Sequence, residues 1–212
     1  YNGTLVGNAV VAEEDDLTLG RPRGYVDLDG TGDYINVGDI TSLDGTALAT
    51  WQCRVRINAL AHDSALIGRA GGTDYQFRIY LTTTGRIVAE IWVSDISGPL
   101  KWTGTGVVSA DAAWHSIAVV YDGSQGVVAD RIAIYLDGAV VASTAVGTIP
   151  TTLRTIASNV YIGASEFGSD ALNGDISDVL ISPFDAWSAA RVLSWHTNDG
   201  SNRIIAGEFT AS

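Results

Sequence analysis

The sequence predicts an all-β protein, a two-sheet antiparallel sandwich with one short helix near its C-terminal end. Apolar and polar residues alternate in short runs, the period of a strand with one buried face. Between the runs stand Thr84-Gly85, Asp122-Gly123, Asp137-Gly138 and Gly147, residues that tolerate positive φ or stabilise turns through side-chain hydrogen bonds. Composition agrees: 46% hydrophobic residues, 24 glycines and 17% charged residues in 212 suit many short strands joined by glycine turns. A chain of this length buries a sizeable core and commonly folds as one sandwich. No internal repeat, low-complexity tract or linker divides it, so residues 1–212 are expected to form a single domain.

Taken in order, the clearest strands are Thr50–Ile57, Tyr75–Leu81, Arg86–Val93, Trp114–Tyr121, Arg131–Leu136 and Val160–Gly163. The run Tyr135-Leu136-Asp137-Gly138-Ala139-Val140 reads as a two-residue hairpin. After Pro183, the spacing of Phe184, Trp187, Arg191 and Leu193 suits a short helix over 184–193 that caps the sandwich. The stretches 61–74, 94–102 and 165–173 read as rim loops.

Formal charge is −12 and the sequence pI is about 4.4. Such a chain lacks the cations from which unselective phosphate binding draws its affinity, so nucleic acid is excluded as a partner. Lys101 is the only lysine, consistent with a surface adapted to salt water or calcium, or simply with Asp-rich turns. Cys53 stands alone, so no intrachain disulfide exists. Its place among Trp51, Val55 and Ile57 at alternate positions makes it a small buried hydrophobe. No run approaches the roughly 20 apolar residues that span a bilayer, which argues against membrane insertion. The chain has no initiating methionine or signal peptide and is expected to be trimmed from something larger.

Several phrases carry a family resemblance: Val26-Asp27-Leu28-Asp29-Gly30-Thr31-Gly32-Asp33-Tyr34-Ile35, then Trp114-His115-Ser116-Ile117-Ala118-Val119-Val120-Tyr121-Asp122-Gly123. Ile134-Tyr135-Leu136-Asp137-Gly138, Tyr161-Ile162-Gly163 and Leu172-Asn173-Gly174-Asp175-Ile176-Ser177-Asp178-Val179 follow in the same order. Together they resemble the bacterial and viral laminin-G-like, pentraxin-related jelly rolls of the concanavalin A-like group, over nearly the whole chain. The resemblance implies two antiparallel sheets bent into a curved sandwich, with ligands on the concave sheet or at rim loops. It does not imply one function, because such domains serve as carbohydrate-binding modules, adhesion domains, virion or tail-fibre parts and, in some branches, glycanases.

Hydrolysis of a glycosidic bond needs two flanking carboxyls, and the related laminarinase-type enzymes place theirs on alternate positions of one strand. Here the nearest strand, Val88–Asp95, offers Glu90 with Trp92 and Ser94 where partners should stand. His62, His115 and His196 are scattered, and His115 belongs to a structural phrase. No catalysis is expected.

Strand alternation sorts the faces. With Trp51, Cys53, Val55 and Ile57 inward, Gln52, Arg54 and Arg56 point out; by the same rule Gln76, Arg78 and Tyr80 point out, as do Glu90 and Trp92. If the three strands are neighbours, as the resemblance suggests, Arg54, Arg56, Arg78, Tyr80, Glu90 and Trp92 form one strip. An exposed ring stacks on a pyranose while Arg and Glu bind its hydroxyls, and arginine pairs with the carboxylate or sulfate of an acidic polysaccharide. Cross-strand Arg–Glu and Arg–Tyr pairing on a solvated sheet produces the same pattern. The competing site is the rim, with His62, Asp63, Asp74, Asp95, Lys101, Trp102, Glu166, Phe167 and Asp170.

Asp27, Asp29 and Asp33 in a glycine-rich turn suit a structural calcium ion, which wants six to eight oxygens. Related jelly rolls complete such a site with an aspartate on the final strand; here that position holds Ser177, with Asp178 one place off. The alternative is that Asp29 and Asp33 shape the turn through backbone hydrogen bonds. The functional expectation is a non-catalytic carbohydrate-binding or adhesion module of a secreted, cell-surface or phage-tail protein, partnered by a glycan or a surface protein. The alternatives are a structural domain of a virion or extracellular assembly and an atypical glycanase.

Overall fold

A computed structural model describes residues 3–16, 21–71, 74–93, 100–166 and 169–197. Its strands in chain order are β1 (Thr4–Val6), β2 (Val10–Asp16), β3 (Arg21–Asp29), β4 (Tyr34–Asp39), β5 (Leu48–Ala59), β6 (Ser64–Gly71), β7 (Asp74–Leu81) and β8 (Arg86–Ile91). They continue with β9 (Leu100–Val107), β10 (Trp114–Asp122), β11 (Ile132–Leu136), β12 (Ala139–Val140), β13 (Ser143–Val146), β14 (Asn159–Ile162) and β15 (Asn173–Pro183), followed by helix α1 (Ala189–Thr197). Two sheets result, an eight-stranded one ordered β1-β4-β14-β6-β7-β8-β9-β13 and a seven-stranded one ordered β12-β11-β10-β5-β15-β3-β2. Neighbours pair antiparallel, as the concanavalin A-like jelly-roll sandwich requires.

The inward alternation holds. Trp51, Cys53, Val55 and Ile57 of β5 meet Phe77, Ile79 and Leu81 of β7 and Ile87, Ala89 and Ile91 of β8 in one core, with the Trp51 and Phe77 rings 4.7 Å apart. Burial pushes the Cys53 thiol up to about 12, so the side chain behaves as an inert hydrophobe. The hairpin is also as expected: Tyr135 pairs with Val140 and Leu136 with Ala139, and Asp137 and Gly138 take φ of 51° and 78°, the paired positive values of a type I′ turn.

Three elements differ from expectation, the first being the stretch 94–102, whose last residues 100–102 belong to β9 and pair with β8 and β13 rather than forming a rim loop. The stretch 61–74 contains β6, a central strand between β14 and β7. Its Ala65, Leu66, Ile67 and Arg69 are all buried, so no polar alternation marks it. The helix begins at Ala189 rather than 184. Phe184 has φ of 66°, which no helix accepts, and Thr50 pins the following segment, its Oγ1 donating to the Asp185 carbonyl (2.7 Å) and accepting from Trp187 N (3.0 Å). Ser188 then caps the helix, its carbonyl and Oγ accepting from Arg191 N. Helix α1 covers the outer face of the seven-stranded sheet, with Trp187 and Val192 packed on Ala118, Val120 and Tyr135.

One end of the eight-stranded sheet is organised by Arg69, whose side chain is fully buried. It pairs with Asp39, reaches Asp44 at 2.7 Å, and donates to the carbonyls of Ile156 (2.8 Å) and Ser158 (3.1 Å) and to Gln76 Oε1 (3.1 Å). Gln76 in turn donates to the Arg154 carbonyl. The expectation that Gln76 points outward is therefore wrong, and β7 shows why. Arg69 lies opposite Phe77 but Ala70 lies opposite Tyr75, so Gln76 is an extra residue in the ladder. Such a bulge reverses side-chain parity beyond it, turning Gln76 inward and Tyr75 outward.

Candidate ligand-binding site

A cleft of about 90 Å³ lies between β6, β7 and the connection from β14 to β15, beside the outward residues of β8. Arg78 stands opposite Glu90 in register and donates from Nε (3.2 Å) and Nη2 (3.0 Å) to the same oxygen, Glu90 Oε2. Its Nη1 reaches Asp170 Oδ2 at 2.9 Å. Three of the five guanidinium N–H donors are thus engaged. Asp170 arrives from the connection between β14 and β15, which is tied down by Ala65 N donating to the Asp170 carbonyl (2.8 Å) and Leu172 N to the Gly163 carbonyl (2.7 Å). Asp170 has φ of 49°, a left-handed conformation that aspartate tolerates better than most residues, and Ser165 Oγ donates to its Oδ2 at 3.1 Å.

Beside this clamp, Tyr75 and Trp92 stack with centroids 5.1 Å apart and planes 26° from parallel. Both rings are half-buried. Trp92 is held at the end of β8 by its backbone N–H, which donates to the Gln76 carbonyl at 2.9 Å. The Tyr75 hydroxyl donates to Glu166 Oε1 at 3.3 Å, while Glu166 Oε2 is buried without a hydrogen-bond partner. Gly68, level with Arg78 on the neighbouring strand, lines the cleft and leaves room where a side chain would stand.

Burial raises the Glu90 pKa above the usual glutamate value, with Arg78 acting against the rise. For Arg78, burial opposes the charge, but Glu90 and Asp170 outweigh it and raise the pKa further. The Tyr75 phenol is raised by burial and then by Glu166. The site is therefore a rigid, partly desolvated surface with stacked rings, a clamped cation and carboxylates.

A family profile described as the concanavalin A-like lectin/glucanases superfamily, of the laminin-G type, matches residues 29–193. The chain belongs to that superfamily. A search of curated proteins returns no match. Solved structures show the same lectin-like fold at low identity. The heptameric SAP-like pentraxin of Limulus polyphemus is 16% identical with a TM-score of 0.59, over 80% of this chain and 82% of that one. The CBM40 of the Ruminococcus gnavus IT-sialidase is 14% identical with a TM-score of 0.64, over 80% and 95%. Domain 4 of AbnA, a GH43 extracellular arabinanase from Geobacillus stearothermophilus, is 19% identical with a TM-score of 0.59, over 91% and 86%.

Within this lectin-like sandwich the six outward residues do not form one strip. Arg78, Tyr80, Glu90 and Trp92 share the outer face of the eight-stranded sheet, but Arg54 and Arg56 lie on β5 in the other sheet and point the opposite way. The order of strands, which alternation does not encode, separates them. Arg56 joins its own cluster, bonded to Asp175 and Glu14 at 2.7 Å each and set over the Tyr25 and Trp114 rings at 5.2 and 4.9 Å. Tyr80 is buried against Ala65 and Val88, with its ring 4.2 Å from the Arg78 guanidinium, so it supports the arginine rather than presenting a free face.

Among rim residues, Asp170 and Glu166 reach the cleft. His62 turns to the Asp63 carbonyl at 2.7 Å. Asp95 and Phe167 lie outside the described residues, as do the side chains of Lys101 and Trp102. Tyr75 was hidden by the bulge at Gln76, for which its alternation offers no signal. His115 bonds Asp137 at 2.9 Å and braces the hairpin turn.

The aspartates proposed for calcium do not fit an ion cage. Asp33 is buried, and its two oxygens accept from the backbone N–H groups of Asn8 (2.7 Å) and Asp29 (3.1 Å). Asp29 Oδ1 accepts from Thr31 N at 2.7 Å and Oδ2 from Asn8 Nδ2 at 3.1 Å. These are turn-shaping bonds. Asp27 lies exposed on β3 opposite Asp175. Asp178 lies beyond the last β15–β3 pair, Ile176 with Val26, in a bulge where it takes φ of 54°. Among the described residues no group of three or more acidic, histidine or cysteine side chains is gathered for a metal.

Proposed function

We propose that the protein is a non-catalytic carbohydrate-binding module, a single laminin-G-like domain of a secreted, cell-surface or phage-tail protein, that holds glycan at the Tyr75–Trp92–Arg78 surface. The carrying observation is the stacked ring pair beside a cleft whose lining includes Arg78, Glu166 and Asp170. A sugar's C–H face packs on such a ring while its hydroxyls meet the remaining Arg78 N–H groups and the carboxylates. At about 90 Å³ the cleft is far below the 300–1,000 Å³ of pockets that enclose a ligand. It accommodates one substituent of a sugar that lies on the surface, as suits a module that grips a long polymer. The Ruminococcus gnavus CBM40 has been solved with α2,3-sialyllactose and the arabinanase domain with arabinotriose, which supports the glycan reading. Among the described residues no helix is long and apolar enough to cross a membrane, and an extracellular setting fits the chemistry.

A glycanase is the second reading, because the fold brings Glu90 and Asp170 to one place from separate elements. Both clamp the same guanidinium, which occupies the space between them that a scissile bond and its water would need. That arrangement favours binding.

The test is a glycan-array and polysaccharide-gel screen of wild type, Trp92→Ala and Arg56→Ala, with reducing-end release followed in parallel. The expected result is binding that falls at least tenfold in Trp92→Ala, about 1.4 kcal/mol, is unchanged in Arg56→Ala, and proceeds without release. Binding indifferent to Trp92, or release of reducing ends, overturns the proposal.

A further inference from the structure

We infer that helix α1, with the segment that leads into it from Asp185, is a strap held in a strained closed state over a polar part of the seven-stranded sheet, from which it lifts as a unit. The seat is Gln52, an outward residue of β5 that is only 1% exposed. It pairs with Ala118 of β10 on one side and with Leu180 of β15 on the other. Both neighbours pack in the small apolar cluster that Trp187, Val192 and Trp195 lay over the sheet. Gln52 is therefore sealed beneath the strap.

Sealing leaves its amide stranded. Neither Oε1 nor Nε2 of Gln52 has a hydrogen-bond partner among the described residues, and the indole Nε1 of Trp187, in the cover itself, is buried in the same condition. Gln76, equally buried, shows the contrast: it accepts from Arg69 and donates to the Arg154 carbonyl. Buried polar atoms nearly always find partners, because one left without forfeits its hydration for nothing in return. Here the amide and the indole lose water only while the strap is down, so both bias it toward release.

The closing contacts are few and local. Trp187 and Val192 supply the apolar contact, Trp187 N donates to Thr50 Oγ1 (3.0 Å), and Ser116 Oγ bonds His196 Nδ1 (2.7 Å). Arg191 pairs with Asp185 and lies 3.9 Å from the centre of the Trp187 ring, which ties the strap to itself rather than to the sheet. A helix of nine residues is not stable alone in water, so it is either seated or released, the behaviour of a cooperative unit that opens without global unfolding. Release uncovers Gln52 and Ser116 on the face opposite the Tyr75–Trp92–Arg78 surface, so the device is independent of glycan binding there.

The test is amide hydrogen exchange followed residue by residue by NMR in wild type and Gln52→Met, which keeps the length of the side chain and removes its polar atoms. The informative amides are Trp187, Arg191 and Val192, each hydrogen-bonded in the closed state. In wild type they are expected to share one protection factor, at least a hundredfold below that of the paired amides of β5 and β10. Gln52→Met should raise it at least tenfold. Protection equal to that of the sheet, or graded from the C-terminal end as in simple fraying, overturns the inference. Unchanged or lowered protection in Gln52→Met also overturns it, showing that the amide is satisfied in the closed state, by bound water for instance. Gln52→Leu repeats the test with a second shape, and failure of both variants to fold would count against the inference in the same way.

Discussion

Gly68 offers a perturbation that separates fold from function. It lies in the interior of β6, opposite Arg78, and its backbone needs no positive φ. An added Cβ would come no closer than 3.7 Å to the Phe77 carbonyl oxygen and 3.9 Å to Arg78 Cγ, which is ordinary van der Waals contact. Glycine inside a strand costs roughly 0.5–1 kcal/mol relative to alanine through backbone entropy. Nothing structural at this position requires glycine, so Gly68→Ala should raise stability by about that amount. For a domain of this size the gain corresponds to roughly 2–4 °C in melting temperature per kcal/mol. The new methyl stands in a cleft of only about 90 Å³, where it takes the space of an inserted sugar substituent. Glycan affinity should fall about tenfold, near 1.4 kcal/mol. Urea unfolding measures the first quantity and calorimetric titration the second. A loss of stability beyond 1 kcal/mol would refute the geometric reasoning, and unchanged affinity at raised stability would place the ligand elsewhere.

Arg69→Met should destabilise by about 3–5 kcal/mol in urea unfolding, because it strips a buried guanidinium from Asp39, Asp44 and three other acceptors; a loss under 1 kcal/mol would show that the network is dispensable. Glu90 supplies a pH signature. Its folded-state pKa lies above the ordinary value, chiefly through burial, so between the two values the folded protein holds a proton that the unfolded chain has released. Its contribution favours folding at low pH and is lost as pH rises through the folded pKa. Stability profiles of wild type and Glu90→Gln should therefore diverge with rising pH across that window; parallel profiles would contradict the shift.

The strand content and the two-sheet class were legible because they depend on local chemistry. Alternation at β5, β7, β8 and β10 reports a buried face whatever lies opposite, and Asp137-Gly138 specifies its turn through backbone sterics alone. β6 was illegible for the converse reason: flanked on both sides and interrupted by bulges, it buries Ala65, Leu66 and Ile67 in succession and loses the period that reveals a strand. The helix was legible as an element but misplaced, since its start is set by Ser188 and by the hold of Thr50 on residues 185 and 187, a contact across 135 positions.

The sequence by itself determined which residues face outward on each regular strand, and so put Arg78, Glu90 and Trp92 on a surface. Only the tertiary structure decided which surfaces coincide. Strand order is a long-range property, and it sent Arg54 and Arg56 to the far sheet while drawing Asp170 and Glu166 from a loop some ninety positions away onto Arg78 and Tyr75. It likewise gave the turn aspartates to backbone amides instead of to one another. A binding site is a meeting of side chains from different elements, and that meeting is set by sheet topology and bulges, which leave no periodic trace along the chain.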